Sequence, residues 1–328
     1  MTATGVAFSA RLSAALHRRA TLAGQAAVTA WRVLDGEGDG VPGMFVDRYG
    51  PAAVMSVYDD ARMSEAGVTA AAAATLEALA PLGVEGVYVK RFVRDRSRLG
   101  GAPDESRSAM PRAGRPVPEA LVVEECGVRY EVRPYDGLST GLFLDLREHR
   151  RALARLRPER VLNLFAYTCA FAMPLALAGA RVTCVDVSAR YLEWGRRSLA
   201  LNGVAPSAVR FLRRDARDVL TQAARRPDAR FDLVILDPPT FGAADRRRHI
   251  AAWRAVDHYG ALVQAAAAVV APGGRLFAAT NTRELAAEGV LPALVSDALG
   301  RPPRWLPLPP WPADVTAPGR VAALLCAP

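Results

Sequence analysis

Apolar and polar positions change their spacing along this chain of 328 residues. After about Pro158, short apolar segments alternate with segments of helical periodicity, which predicts parallel strands joined by crossover helices. The predicted strands are 160–164, 181–186, 209–213, 233–237 and 275–280, and the predicted helices are 170–178, 189–201, 216–225 and 254–270. We therefore expect a doubly wound α/β domain over 136–328, closed by antiparallel strands from the Pro-rich C-terminal segment.

The first part of the chain has a different pattern. A helix with apolar positions at helical spacing is predicted over 6–27, and short strands separated by Gly, Pro and Asp turns follow from Trp31. An Ala-rich helix over 64–79 and a strand over 84–92 complete this part. The expected organisation is an N-terminal helix over 1–29 and a smaller α+β domain over 30–135. Within it, 100–118 lacks periodicity and is expected to be a long exposed loop.

The segment FDLVILDPPTF, residues 231–241, carries the strongest chemical signal. Its apolar, branched residues predict a buried strand, which two consecutive prolines end because neither has an N–H to donate. Asp237 should then lie at the C-terminal end of the strand, where open parallel sheets bind ligands. The proline carbonyls should be free to accept hydrogen bonds, and Phe241 offers a flat face for stacking a base.

A net charge of +9 favours a polyanionic partner such as nucleic acid, although the abundance of Arg can also follow from genome composition. Local clustering of basic residues is more informative than the total. The three clusters are Lys90 and Arg91 with Arg94, Arg96 and Arg98; Arg147 with Arg150 and Arg151; and Arg246, Arg247 and Arg248. We expect these clusters to contact phosphates or to form solvated basic loops.

Several classes of protein are disfavoured by composition. No apolar run reaches about 18 residues, so no membrane span is expected, and the N-terminal arginines follow the apolar part, the wrong order for a secretory signal. Four scattered cysteines without a CxxC pair suggest neither a zinc site nor a disulfide framework. The histidines show no metal spacing. We expect a cytoplasmic protein without metal.

The loop after the first strand of the α/β domain, NLFAYTCAFA at 163–172, lacks the glycines that cradle a pyrophosphate. This argues against dinucleotides and P-loop nucleotides. The next two strands end near Asp186 and Asp215, whose carboxylates can accept from ribose hydroxyls and from an adenine amino group. Together with the DPP segment, these acids favour an adenosyl ligand without phosphates.

Five segments resemble class I S-adenosylmethionine-dependent methyltransferases, above all bacterial enzymes that methylate bases of large-subunit ribosomal RNA. They are TGLFLDLREHR (140–150), VLNLFAYTCAFA (161–172), VDVSARYLEWGRRSLALNG (185–203), RRDARDVL (213–220) and FDLVILDPPTF. RVLDGEGDGVPGMFVDRYG (32–50) is similar to the start of that family's central domain. The resemblance covers residue 30 to the C-terminus. It implies a Rossmann-like methyltransferase domain, S-adenosylmethionine as cofactor and RNA, in particular ribosomal RNA, as partner.

The resemblance also implies roles for individual residues. The cofactor-binding set would be Thr140, Phe143, Asp145, Arg147, Asn163, Phe165, Tyr167, Thr168, Asp186, Val187, Asp215, Ala216 and Asp237. The catalytic and target-presenting set would be Asp237, Pro238, Pro239, Thr240 and Phe241, with Asn281 and Arg283 holding the base edge. In this pattern Asp186 would hold the ribose, and Asp215 the adenine.

Two departures from the family pattern bear on function. Cys169 stands where the family's loop has a glycine, and its thiol is expected to shift or weaken cofactor binding. Only about 30 residues precede the central domain, too few for the N-terminal RNA-binding PUA module usual in the family.

Methylation at C5 of a pyrimidine needs a cysteine that adds to the base. The stretch LFAATNTREL (276–285), where the family's C5 enzymes carry this thiol, has none and looks more like the element of guanine methyltransferases. We therefore expect direct SN2 transfer to a base nitrogen, with guanine favoured. The alternatives are a methyltransferase acting on a small molecule or a protein, and a noncatalytic RNA-binding protein. Whether the chain forms a homodimer stays open.

Overall fold

The structure of the protein is a computed structural model, which describes residues 3–92, 105–226, 230–245, 250–317, 319 and 321–328. The chain divides into two compact units. Unit 1 comprises 1–147 and 311–317, and unit 2 comprises 148–310 and 318–328. The N-terminal helix thus belongs to the same unit as the small domain. The boundary lies after Arg147 rather than at 135, and a short C-terminal segment returns to unit 1.

Unit 1 is an α+β unit built on a five-stranded sheet in the order β1-β2-β3-β4-β5. Its helices are α1 (Ala3–Arg18), α2 (Ala20–Ala23) and α3 (Glu65–Leu79), and its strands are β1 (Ala30–Asp35), β2 (Met44–Tyr49), β3 (Ala52–Tyr58), β4 (Gly86–Phe92), β5 (Ala113–Gly114), β6 (Leu121–Glu125) and β7 (Val128–Val132). Strands β3 and β4 pair in parallel, and α3 is their crossover. Ser64 begins α3, because its hydroxyl accepts from the amide of Gly67 at 3.2 Å.

Two sequence expectations for unit 1 need correction. The predicted helix 6–27 ends at Arg18, and α2 follows after Arg19, whose side chain is buried in an ion pair with Asp39. The predicted exposed loop 100–118 contains strand β5, which pairs with β4, and Val117 is buried. Short strands with Gly and Pro around them give no period-2 signal, which explains the second difference. Residues 93–104 lie outside the described chain.

Unit 2 is the expected doubly wound α/β domain. Its helices are α4 (Arg147–Arg155), α5 (Ala172–Leu177), α6 (Ala189–Leu201), α7 (Ala216–Ala224), α8 (Ala255–Ala267) and α9 (Val290–Leu299), and its strands are β8 (Arg160–Leu164), β9 (Arg181–Asp186), β10 (Val209–Arg213), β11 (Phe231–Leu236), β12 (Phe241–Gly242), β13 (Trp253–Arg254), β14 (Val270–Thr280), β15 (Arg304–Leu306) and β16 (Ala322–Ala327). The predicted helix over 189–201 and strands over 160–164, 181–186 and 209–213 are confirmed residue for residue.

The main sheet of unit 2 has the strand order β10-β9-β8-β11-β14-β16-β15. Strands β8 to β11 and β14 are parallel, whereas β16 and β15 run antiparallel, as expected for the Pro-rich C-terminal segment. The chain order reverses between β8 and β11, which creates a crevice at the carboxyl ends of these strands. A doubly wound sheet binds its ligand at such a point.

Both faces of the sheet in unit 2 are covered, so its central strands are apolar throughout. Leu233, Val234, Ile235 and Leu236 of β11 are at most 1% exposed. Val234 and Leu236 pack in a core with α7, α8 and α9, to which Leu220, Leu262 and Val295 contribute. This rigid layer fixes the positions of the loops at the strand ends.

Candidate active site

The loop after β8 is held in an unusual backbone conformation. Phe165, Tyr167 and Cys169 have φ values of 55°, 50° and 61°, in the left-handed region that few residues other than glycine adopt. The amide of Ala166 donates to the carbonyl of Val185 at 2.9 Å, which joins the loop to the end of β9. Several such residues in one loop indicate a functional constraint rather than a tolerant turn.

Asp186 ends β9 and organises the neighbouring loops. Its Oδ2 accepts from the amide of Tyr167 at 2.9 Å, and its Oδ1 accepts from the amide of Ser188 at 2.8 Å. Ser188 in turn caps α6 by accepting from the amide of Tyr191 at 3.3 Å. Asp186 thus lies beside the loop that contains Tyr167, and Val187 next to it is exposed.

Asp215 lies between β10 and α7 and is the N-cap residue of α7. Its side chain accepts from the amide of Arg217 at 2.8 Å and forms an ion pair with the Arg217 guanidinium at 2.6 Å. Burial raises the pKa of Asp215, but the hydrogen bonds from Arg217 outweigh this effect and the pKa is lowered overall. The carboxylate therefore stays charged at neutral pH, while Ala216 behind it is buried.

The DPPTF segment begins with Asp237, directly after β11. It ends in the two-residue strand β12, which pairs antiparallel with β13. Phe241 in β12 pairs with Arg254 and is 67% exposed, so its ring is available for stacking. The indole of Trp253 donates to the carbonyl of Pro239 at 2.7 Å, and the amide of Ala255 donates to the carbonyl of Thr240 at 3.0 Å. The expectation that the proline carbonyls are free is thus wrong for Pro239.

A hydroxyl chain connects the DPPTF segment to the end of β14. The Thr240 hydroxyl donates to Oδ1 of Asn281 at 3.2 Å, and the buried Thr282 hydroxyl donates to Oγ1 of Thr240 at 3.2 Å. Asn281 therefore lies beside the DPPTF segment, and Arg283 is exposed on the same loop. The two loops form one polar rim on unit 2.

Four residues at this site carry no recognisable sequence motif. Besides Trp253, Thr282 and Arg217, Tyr259 on α8 is fully buried and donates to the carbonyl of Ala279 at 2.7 Å. Burial and the nearby charge of Asp237 raise the pKa of the Tyr259 phenol. The helical period of α8 shows only that Tyr259 faces inward, and no sequence pattern predicts its contact with the strand end.

Cys169 is fully buried beside α6. A Cβ built on Gly195 of that helix would lie 2.8 Å from the Cys169 sulfur, so the glycine leaves the space that the thiol occupies. Asn163, also buried, lies on β8 opposite Cys184, with its amide nitrogen 3.9 Å from that sulfur. The expected effect of Cys169 on cofactor binding stays a prediction.

The element 140–147 belongs to unit 1. Thr140 is buried and accepts from the ammonium of Lys90 at 3.1 Å, whereas Phe143 is 46% exposed. Asp145 is half-buried. Arg147 is buried at 2% exposure in an ion pair with Asp314, which engages its guanidinium within the protein.

The basic clusters expected from the sequence are largely not exposed where they can be described. Lys90, the single lysine of the chain, is 1% exposed, and burial lowers its pKa to about 7 against the opposing charges of Asp136 and Asp47. Arg147 and Arg150 are also buried. These three residues are therefore not surface phosphate contacts. Arg94, Arg96, Arg98 and Arg246–Arg248 lie outside the described residues.

His149 packs against Phe277, with ring centroids 6.0 Å apart, and its burial beside Arg150 lowers its pKa to about 4. Among the described residues, no cluster of His, Cys, Asp and Glu has the arrangement of a metal site. No helix in the described ranges combines the length and apolar character needed to cross a membrane.

Comparison with known proteins agrees with this arrangement. Residues 95–303 match the family described as S-adenosylmethionine-dependent methyltransferase. A ribosomal RNA large subunit methyltransferase of Deinococcus radiodurans is 34% identical over 91% of this chain and 72% of its own length. Ribosomal RNA large subunit methyltransferase I of Salmonella arizonae is 34% identical over 71% of this chain, but only 56% of that protein is covered.

Two solved structures share the fold. SMU.776 complexed with SAH has a TM-score of 0.84 at 24% identity and covers 99% of this chain and 82% of its own. The SAM dependent methyltransferase from Agrobacterium tumefaciens has a TM-score of 0.61 at 20% identity and covers 84% of this chain and 79% of its own. From the family match over 95–303 and the relative at 34% identity, this chain belongs to the S-adenosylmethionine-dependent methyltransferase family and uses S-adenosylmethionine as its cofactor.

Proposed function

We propose that the protein methylates a base nitrogen, with guanine favoured, in ribosomal RNA of the large subunit. The arrangement of the strand ends in unit 2 supports this proposal most directly. Asp186 ends β9, Asp215 and Asp237 follow β10 and β11, and the exposed Phe241 lies in β12, just after Asp237 in sequence. The similarity to large-subunit methyltransferases of bacteria supports the choice of RNA.

The residues fit the cofactor by their chemistry. Asp186 is oriented by two backbone amides and can accept ribose hydroxyls, while Asp215 can accept from the adenine amino group. The left-handed backbone at Phe165 and Tyr167 would let this loop approach the methionine end of the cofactor closely. Asn163, Thr168, Val187 and Ala216 complete this subsite. The cofactor-binding role that the resemblance implies for Thr140, Phe143, Asp145 and Arg147 stays a prediction; the Arg147 guanidinium is paired with Asp314.

Bound S-adenosylmethionine supplies an electrophilic methyl group. The protein aligns the target nitrogen with it: Phe241 stacks on the base, and Asn281 and Arg283 hold its edge. Asp237 stabilises the positive charge that develops on the base during transfer. Pro238 and Pro239 fix the backbone between Asp237 and Thr240, and Trp253 holds the second proline by its carbonyl.

None of the described cysteines of unit 2 is exposed where it could add covalently to a base. Cys169, Cys184 and Cys326 are fully buried, and the segment 276–285 contains no thiol. This supports direct SN2 transfer to nitrogen. An N7 lone pair lies in the plane of guanine and needs no general base, whereas an exocyclic amine must also lose a proton.

Mass spectrometry of ribosomal RNA with and without the gene tests the proposal. One methylated nucleoside of the large subunit should disappear on deletion and return when the purified protein acts on the unmodified RNA. An unchanged RNA, together with methylation of a protein or small molecule, would replace the proposed substrate. A cytoplasmic location accompanies the proposal because the RNA lies there, and a homodimer stays a prediction for sedimentation to test.

A further inference from the structure

Arg217 forms several hydrogen bonds with Asp215, the acid of unit 2 that is proposed to bind the adenine of the cofactor. Its Nε donates to Oδ1 of Asp215 at 3.0 Å, and its Nη2 donates to Oδ2 at 2.6 Å. The Arg217 backbone amide also donates to Oδ1, at 2.8 Å. A planar guanidinium in this fork geometry fixes the carboxylate in both position and rotation.

These contacts leave an unequal acceptor capacity on the two oxygens of Asp215. A carboxylate has about four acceptor positions, two on each oxygen. Among the described residues, Oδ1 accepts from both the amide and Nε of Arg217, whereas Oδ2 accepts from Nη2. One position, on Oδ2, is therefore open to a ligand.

Arg217 is itself fixed by a second anchor. Its Nη2 donates to the carbonyl of Ala251 at 3.0 Å, in the segment that leads into β13. The Arg217 side chain is 34% exposed and that of Asp215 is 9% exposed, so the pair lies at the rim of the site rather than in the core. The Arg217 guanidinium thus links Asp215 to the segment before β13, the strand that pairs with Phe241 in β12.

The chemistry of purines makes this arrangement selective. Adenine has an amino group at C6 that can donate to the open position on Oδ2. Hypoxanthine has a carbonyl there, which would repel the carboxylate, and it carries a donor at N1 instead. A carboxylate free to rotate can turn to N1–H, but a carboxylate clamped by a bidentate guanidinium cannot.

We propose that Arg217 is a specificity-determining positioning residue: it holds Asp215 so that one acceptor on Oδ2 faces the ligand, which selects a 6-aminopurine. This inference rests on the proposed role of Asp215 in binding the cofactor's adenine. It adds a residue that does not contact the methyl group but determines which nucleoside the site takes.

Calorimetry with two ligands tests the inference. Wild type should bind S-adenosylhomocysteine at least about tenfold more tightly than S-inosylhomocysteine, as expected for a hydrogen bond to a charged group. Arg217→Gln should reduce this preference to within about threefold. Arg214→Gln is the matched control, because Arg214 bonds to Gln222 on the exposed face of α7 and should keep the full preference.

The possible outcomes separate the inference from the function on which it rests. If wild type fails to bind S-adenosylhomocysteine at millimolar concentration, the cofactor site is wrong and the inference falls with it. If wild type binds and Arg217→Gln retains its preference, only the role of Arg217 is overturned. Thermal melting shows whether Arg217→Gln folds; if it does not, Arg217→Lys, which keeps the charge but loses the fork, should show the reduced preference.

Discussion

Asp237 follows directly after the buried strand β11, and its charge acts on the residues packed around it. Its charge contributes to the raised pKa of Tyr259, a buried phenol that donates to the carbonyl of Ala279. A charged group close to low-dielectric packing interacts strongly with a cation that forms nearby. From this position we expect Asp237 to contribute more to methyl transfer than to binding of the cofactor.

Asp237→Ala should lower kcat by about 100-fold or more, because stabilisation of the developing charge is lost. The affinity for S-adenosylhomocysteine should stay within a few-fold, since Asp186 and Asp215 are retained. Steady-state kinetics and calorimetry measure the two quantities. Asp257→Ala on the exposed start of α8 is the control and should retain activity. A fully active Asp237→Ala enzyme would refute the assigned role.

The lowered pKa of the buried Lys90 predicts that the free energy of unfolding depends on pH. Its pKa is lowered from 10.5 to about 7 in the folded state, so between these values the unfolded state binds more protons. Stability should therefore rise with pH over this window, by up to about 5 kcal/mol, and stay level below pH 7. Lys90→Met should remove this rise. Urea unfolding of wild type and Lys90→Met from pH 6 to 10 measures this effect. The same pH dependence of the free energy of unfolding in both proteins would contradict the prediction.

At the scale of elements, the loop after β8 and helix α6 are matched to each other. Cys169 places a side chain where backbone with φ of 61° favours glycine, and Gly195 on α6 provides the space for it. The departure of this chain from the family's loop is thus accommodated by a small residue on the adjacent helix. Packing between a strained loop and a rigid helix fixes the shape of the loop after β8.

Gly195→Ala should destabilise the protein by about 1–3 kcal/mol, because the new methyl group meets the Cys169 sulfur at 2.8 Å. Adding Cys169→Gly should recover most of this loss, which a double-mutant cycle in urea would measure. Gly260→Ala on α8 is the matched control: its nearest neighbour is 4.0 Å away, and the substitution should be neutral or stabilising. Additive losses in the cycle would show that the two sites are not coupled.

At the scale of the whole molecule, the chain crosses between its two units and returns. Residues 311–317 belong to unit 1, although they lie in sequence between β15 and β16 of unit 2. Asp314 is fully buried there: its carboxylate pairs with Arg147 and accepts from the amide of Arg32 at 2.7 Å, and its carbonyl accepts from Arg19 at 2.8 Å. A C-terminal segment thus completes the core charge network of the N-terminal unit.

Asp314→Asn should destabilise unit 1 by about 3–5 kcal/mol, because it removes the main compensating charge of the buried Arg147. Thermal unfolding should show a lower transition temperature. Glu77→Gln makes the same change of charge on the exposed face of α3 and should shift the transition little. Equal shifts for the two variants would mean that the buried network contributes no more than an exposed acid.

The apolar period of the strands and the prolines after β11 are local signals, so the amino-acid sequence was enough to predict the sheet of unit 2 and the acids at its strand ends. The contacts around those strand ends follow only from the three-dimensional structure: Arg217 beside Asp215, Trp253 on Pro239, Tyr259 on Ala279 and Gly195 opposite Cys169. It also showed that Lys90 and Arg147 are buried, although composition favoured a basic surface. Such contacts join positions far apart in the chain or depend on side-chain burial, and neither follows from the periodicity of a single segment.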